Sequence, residues 1–187
     1  MNIVFCNQKG GVGKTTLTLL TAGVLKQAGY DIAIRDLDPQ GSASLIGPNV
    51  MEVPLIEDHP DADYVVTDTP PRIDDKKFAK VIAESDRIIL VTGKSPMDVL
   101  AAQPMAELIK THKSNKAKAY VLFNGVESRT AIGMTDGEKL AKTIGMKPLH
   151  TEIPHSSRYE RMVTEGLPVL IGKWREKIFQ VMLEILK

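Results

Sequence analysis

Eight residues, Lys9-Gly10-Gly11-Val12-Gly13-Lys14-Thr15-Thr16, separate an apolar run, Ile3-Val4-Phe5, from a segment whose Leu17, Leu20, Val24 and Ala28 recur at helical spacing. A strand, a glycine-rich turn and a helix in that order leave few folds open. Glycines let the backbone curl with its N–H groups inward, and the helix start adds its positive dipole at the same point. The concavity suits phosphate oxygens. Gly10, Gly11, Val12, Gly13 and Thr16 are expected to line it, with Lys14 reaching the β- and γ-phosphates of a nucleotide and the Thr15 hydroxyl ligating Mg²⁺. The general loop G-x-x-x-x-G-K-[ST] puts its first glycine at position 8. Here that position is Gln8, and a second lysine, Lys9, comes next. Lys14 already serves the loop's own phosphates, so Lys9 reads either as a solvated charge or as a group reaching a neighbouring subunit's phosphate.

The rest of the chain alternates short apolar runs with helical patterns. Strands are expected at Ile3–Cys6, Ile32–Arg35, Tyr64–Thr67, Ile88–Thr92, Tyr120–Phe123 and Leu149–Ile153, each short and continuously apolar as parallel strands buried on both faces are. Further helices are expected at Asp75–Glu84, Val99–His112, Gly137–Ile144, Ser157–Glu165 and Trp174–Leu186. This alternation predicts one α/β domain over residues 1–187, a doubly wound, mostly parallel sheet with helices on both faces and a ligand at the strands' carboxyl ends. Residues 41–63 carry no clear pattern, because Gly47-Pro48-Asn49 turns the chain and Pro54 and Pro60 interrupt the stretch beyond that turn. The single cysteine, Cys6, excludes a disulfide framework or a cysteine metal cluster within one chain. With no signal-peptide pattern and no apolar run of the ~20 residues a membrane span needs, a cytoplasmic location is expected.

Two further motifs end predicted strands. Asp36-Leu37-Asp38-Pro39-Gln40-Gly41 places two carboxylates two residues apart at a carboxyl edge, where one can address the metal's water shell and the other orient an attacking water. Alone, this is a strand-ending turn of Asp, Pro and Gly. One βαβ unit after a phosphate loop, it reads as part of the same site. Val65-Val66-Thr67-Asp68 then brings apolar residues up to one Asp, the pattern that sets a carboxylate near Mg²⁺ in phosphate-loop enzymes.

Together these three motifs resemble those of the ParA/MinD family of deviant Walker-A ATPases. Ile153-Pro154-His155-Ser156-Ser157-Arg158, together with Gly166-Leu167-Pro168-Val169, is similar to the ParA-type segment rather than the MinD type. The resemblance spans nearly the whole chain, and the shortness of residues 41–63, with no N-terminal helix-turn-helix extension expected, points to the small ParA proteins. It implies an ATPase that binds ATP and Mg²⁺ and closes as a face-to-face homodimer around two nucleotides. By motif match Lys9 crosses to the partner's phosphates, Lys14 and the loop amides hold the triphosphate, and Asp38 positions the hydrolytic water. Thr15, Asp36, Asp38 and Asp68 then form the metal and water network, making Lys9, Lys14 and Asp38 the expected catalytic groups. Asn124, after the fifth strand, and Pro154 are the expected adenine contacts, although Asn at a strand end is also a common turn residue.

ParA relatives bind DNA without sequence preference, and basic residues outnumber acidic ones towards the C-terminus of this chain, whose formal net charge is +1. Arg158, Arg161, Lys173 and Arg175 are the expected DNA contacts, with Lys177 extending them and Lys110, Lys113, Lys116 and Lys118 as a rival patch. The implied function is to position or partition a cargo (a plasmid, a chromosome region or a protein body such as the carboxysome) while associating with the nucleoid, with hydrolysis stimulated by a ParB-like or analogous cargo adaptor. Two alternatives remain at this level. MinD-like membrane association would use the amphipathic C-terminal segment, whose Glu176 and Glu184 suit an anionic surface poorly. A phosphate-loop ligase or kinase would need a second-substrate constellation, and none is visible.

Overall fold

A computed structural model describes residues 1–72, 74–169 and 172–187. Six parallel strands, β1 (Asn2–Cys6), β2 (Ile32–Asp36), β3 (Tyr64–Asp68), β4 (Arg87–Thr92), β5 (Lys118–Phe123) and β6 (Lys147–Pro148), form one sheet in the order β2-β3-β1-β4-β5-β6. The expected α/β sheet is thus present. The order reverses at β1, whose carboxyl end opens between its neighbours β3 and β4, the position where doubly wound sheets bind ligands. The helices are α1 (Lys14–Gln27), α2 (Ser42–Val50), α3 (Asp75–Ala83), α4 (Pro96–His112), α5 (Gly137–Ile144), α6 (Ser157–Glu165) and α7 (Lys173–Leu186).

Alternate residues of the strands feed two cores, as the period-two pleat requires. Ile3, Phe5, Ile32, Ile34, Val66 and Leu122 pack beneath α1, α2 and α7. Val4, Cys6, Ile88, Leu90, Val121 and Phe123 pack beneath α3, α4 and α5. The apolar stripe of α7, Ile178, Val181, Met182 and Ile185, is buried in the first core. Among the described residues no helix is long and apolar enough to cross a membrane.

Three elements differ from expectation, each for an identifiable reason. α4 begins three residues before Val99 because Ser95 and Asp98 form a reciprocal capping box around Pro96. α2 lies in the stretch with no clear pattern. It accommodates Pro48 and is anchored by Asp36, whose carboxylate accepts from the Ser44 amide at 2.7 Å and the Ser44 hydroxyl at 3.0 Å. The sixth strand has its ladder partners at Lys147–Pro148, ahead of the expected Leu149–Ile153, of which the Leu149 and Ile153 amides still donate to the Val121 and Phe123 carbonyls of β5 at 2.8 and 2.9 Å. Beyond it the Glu184 carboxylate of α7 takes the His150 amide at 2.6 Å and the Thr151 amide at 3.0 Å, so these backbone groups leave the ladder. Replacing Glu184 by Ala removes the partner of two amides, one exposed and one part-buried, and urea unfolding should show a loss of about 1–2 kcal/mol. An unchanged midpoint would mean that water replaces the carboxylate without cost.

Candidate functional site

The loop between β1 and α1 has the backbone the sequence predicts. Gly11 (φ 73°) and Gly13 (φ 93°) adopt left-handed conformations, and Gly13 caps α1 without any side-chain hydrogen bond to the helix's first amides. Those N–H groups and the helix dipole therefore face the concavity, the arrangement that binds anions. At Gly13 a Cβ would stand 2.3 Å from Nδ2 of Asn124, so both space and conformation demand glycine. Asn124 Nδ2 donates to the Val12 carbonyl at 2.7 Å, which fastens the loop to the end of β5. The far side is braced by Asn7, which is buried, donates to the Val91 carbonyl at 2.7 Å and accepts from the Lys9 amide at 3.0 Å.

The two lysines of the loop occupy opposite environments. Lys14 is 6 % exposed, with Nζ 3.4 Å from the Lys9 carbonyl. Burial lowers its pKa, while the charges of Asp68, Cys6 and Asp38 work in the other direction. The Lys9 side chain is 45 % exposed and reaches Oδ1 of Asp98 at 2.5 Å. Burial of Asp98 opposes its ionisation, but hydrogen bonds from Lys9 and Ser95 more than offset this, and its pKa lies below the usual carboxylate range.

Asp68 is fully buried at the end of β3 and accepts from the Thr15 hydroxyl at 2.7 Å. Burial drives its pKa up to about 6, against the Thr15 hydrogen bond that favours the carboxylate. Asp36 and Asp38 come to the same edge. Besides holding the start of α2, Asp36 accepts from the Asp38 amide at 3.0 Å. Asp38 accepts from the Gln40 amide at 3.0 Å, closing its own turn. Among the described residues no three His, Cys, Asp or Glu side chains cluster closely enough to hold a metal by themselves. That donor set fits Mg²⁺, which keeps most of its waters and takes few protein ligands beside a substrate phosphate. The oxygens of Thr15 and Asp68, joined by their hydrogen bond beside the loop, are donors of the kind such an ion takes.

A cleft of about 250 Å³ beside the loop is lined by Gly13, Thr16, Asn124, Pro154 and Tyr159 among others, so both expected adenine contacts face it. A second hollow, about 390 Å³, lies on the Lys9 side between the loop, the start of α4 and residues 124–133. Lys94, nearly buried, ties its wall together through Glu152 at 2.6 Å and the carbonyls of Gly133 and Thr135 at 3.1 and 2.7 Å.

A family profile described as "CobQ/CobB/MinD/ParA nucleotide binding domain" matches residues 3–169. The chain belongs to this family. It is 29 % identical over 186 residues to the "Maintenance of carboxysome distribution protein A" of Halothiobacillus neapolitanus, covering 89 % of this chain and 85 % of that protein. Among solved structures, apo McdA of Cyanothece superposes with a TM-score of 0.77 at 15 % identity, covering 100 % of this chain and 99 % of the other. The MinD protein of Pyrococcus horikoshii complexed with Mg-ADP gives 0.70 at 16 %, covering 100 % and 97 %. These structural likenesses establish that the fold is the ParA/MinD one.

Of the expected basic contacts, Arg161 is held by Glu165 through two bonds of 2.6 Å, and Arg175 donates to Gln27 at 2.7 Å. Arg158 is half-buried at the start of α6. Lys173 lies over the Trp174 ring, 4.9 Å from its centroid, and both line a groove of about 460 Å³ with Lys177, Arg129 and His155. Sequence reasoning missed Arg129 because it is brought there by the fold. It also missed Asn7, Asp98 and the bracing role of Asn124. Only Asp98, three residues after Ser95 at a Pro-started helix, carried a local signal.

The raised pKa of Asp68 has a measurable consequence for the nucleotide-free chain. An ordinary Asp in the unfolded chain loses its proton near pH 4, whereas folded Asp68 keeps its own until about pH 6. The folded state thus binds more protons in that window, and stability due to Asp68 falls as pH rises through it. Between pH 4 and 7 wild type should lose about 2–3 kcal/mol relative to Asp68→Asn in chemical denaturation. A pH-independent difference would show that the carboxyl titrates normally.

Proposed function

We propose that the chain is a single-domain, Mg²⁺-dependent ATPase whose ATP-bound form closes as a homodimer, binds DNA without sequence preference and positions a cargo through a cargo-bound adaptor. The carboxysome-distribution relatives support a protein body as that cargo, and a cytoplasmic, nucleoid-associated location accompanies this reading. One observation carries it. Lys14 is buried within the loop, and Lys9, on the same loop, is half-exposed and held by its own chain's Asp98. Lys9 thus stands at the open face of the site, where a second copy's phosphate can claim it.

Magnitudes favour that exchange. A half-exposed ion pair contributes at most about 1 kcal/mol, and a charge-assisted bond to phosphate about 1.5–3. Two lysines moving symmetrically from Asp98 to partner phosphates gain roughly 1–4 kcal/mol, or about 5- to 700-fold in dimer affinity. ADP, lacking the terminal phosphate, forfeits that gain. In this reading Lys14 and the loop amides hold the triphosphate, and Asp38 turns from its local hydrogen bond to orient the attacking water. Mg²⁺ would neutralise charge developing on the phosphates, held through Thr15 and supported by Asp36 and Asp68.

Lys9→Ala should bind ATP nearly as well as wild type and stay monomeric in sedimentation with ATP, while Asp98→Asn should dimerise at least as readily as wild type. An ATP-bound dimer of Lys9→Ala at wild-type affinity would sink the assignment.

For DNA we place the main contacts at Lys173 and Lys177, beside Arg129, with Arg158 contributing from α6. Glu165 already neutralises Arg161 locally. Exchanging Lys173 and Lys177 for Glu should weaken DNA binding and lower the slope of log affinity against log salt by about two per subunit. Arg161→Ala should leave it nearly unchanged. The reverse ranking would move the DNA surface to α6.

A further inference from the structure

The edge strand β2 is clothed unevenly. Ile32 and Ile34 turn into the first core, against α1 and α2, so Ala33 and Arg35 face the side that carries α3. The strand's outer edge is closed by residues 54–56, through Ile34 N–H to the Pro54 carbonyl at 2.9 Å and Ile56 N–H to the Ile34 carbonyl at 2.8 Å. α3 packs on the second core through Phe78 and Ile82. A groove of about 460 Å³ runs between its outward side and Arg35.

Buried Pro70 and half-buried Leu37 and Val81 give this groove an aliphatic lining, and Arg35, Arg72, Lys77 and Lys80 stand along it. Two acids are present and both are engaged. Asp74 caps α3 by accepting from the Lys76 and Lys77 amides at 3.1 and 3.2 Å, and Glu84 meets Lys80 at 3.9 Å. Among the described residues no carboxylate pairs with Arg35, Arg72 or Lys77. A run of cations on a convex face is ordinarily just solvated. Here they converge on a concave apolar surface, which is the anatomy of a peptide site rather than of a solvated helix face. Among the described residues no aromatic ring lines it, so they offer no stacking platform of the kind single-stranded nucleic acid uses.

The lining also comes from two loops of the nucleotide site. Leu37 sits between Asp36 and Asp38, and Pro70 lies two residues after Asp68. A ligand gripping Leu37 and Pro70 therefore pulls on the backbone that carries all three carboxylates of that site. We propose that this groove binds an acidic segment of a partner protein bearing aliphatic side chains, and that its occupancy changes the rate at which the adjacent site turns over nucleotide. The second half rests on the ATPase reading; the first does not.

The test uses the full chain and a short fluorescein-labelled peptide of alternating Asp, Glu and Leu, with its Asn/Gln counterpart and a short single-stranded DNA as competitors. The acidic peptide should bind at least about tenfold more tightly than the neutral one, weaken as salt rises, and lose about tenfold in affinity for Arg72→Glu/Lys77→Glu. Those positions lie outside the nucleotide site, so the double variant should keep its urea midpoint and basal ATP turnover. Equal binding of the neutral peptide, wild-type affinity in the double variant, or displacement of the peptide by DNA at lower concentration would overturn the site. Peptide binding that leaves ATP turnover unchanged would overturn the coupling alone. A chain with no turnover under any condition would remove the ATPase reading, and the peptide titration would still decide whether the groove is a binding site.

Discussion

A helix that starts without a side-chain cap is the constraint around which this molecule is organised. The first amides of α1 emerge from two left-handed glycines with no hydroxyl or carboxylate laid across them. Capping such a start usually contributes about 1 kcal/mol, so the sequence forgoes that stabilisation and leaves the donors to an anion. The surrounding braces compensate in rigidity. Asn7 ties the loop to β4, Asn124 ties it to the end of β5, and Thr15 ties the helix to β3 through Asp68. Strands on both sides of the switch point thus hold one short loop in position.

The paired carboxylates divide their work in a way the motif alone does not reveal. Asp36 acts first as structure: both its oxygens accept hydrogen bonds, one from Asp38 and the other from Ser44 at the start of α2. Its negative charge at that helix start is stabilising by the dipole argument as well. Among the described residues the Asp38 carboxylate accepts one hydrogen bond, from the Gln40 amide of its own turn. Asp38 is in turn tied to its fixed neighbour, since its own amide donates to Asp36.

Local chemistry was legible in the sequence and tertiary chemistry was not. The phosphate loop could be read because glycine at positive φ and a Lys-Thr pair at a helix start are decided within eight residues. β3 ending in Asp68 could be read because burial on both faces leaves a continuous apolar run. β6 was misplaced because the amides that should have extended it bond instead to Glu184, more than thirty residues away. α2 was hidden by Gly47-Pro48, whose turn signal is outweighed by Asp36 at its start and by the approach of Gly47 to Ile34, where a Cβ would come within 2.7 Å of Cδ1. The pairing of Arg161 with Glu165 carries a local signal, since four residues on is the spacing at which helix ion pairs form. The opposite exposures of Lys9 and Lys14, on which the functional reading turns, depend on a partner, Asp98, that only the fold supplies.

Burial acts on the two charged groups at the heart of the site in opposite senses: it lowers the pKa of Lys14 and raises that of Asp68 to about 6. Each shift means that the charged form is disfavoured relative to water, so the nucleotide-free pocket holds its charges under strain. A triphosphate at the loop would supply negative charge beside Lys14, and a divalent cation would supply positive charge beside Asp68, so each would relieve one of the two penalties. Relief of that kind appears as coupling: the ligand stabilises the fold by mass action, and the anion and cation each bind better in the other's presence. Such coupling would offset the cost of a fully buried carboxylate at the end of β3.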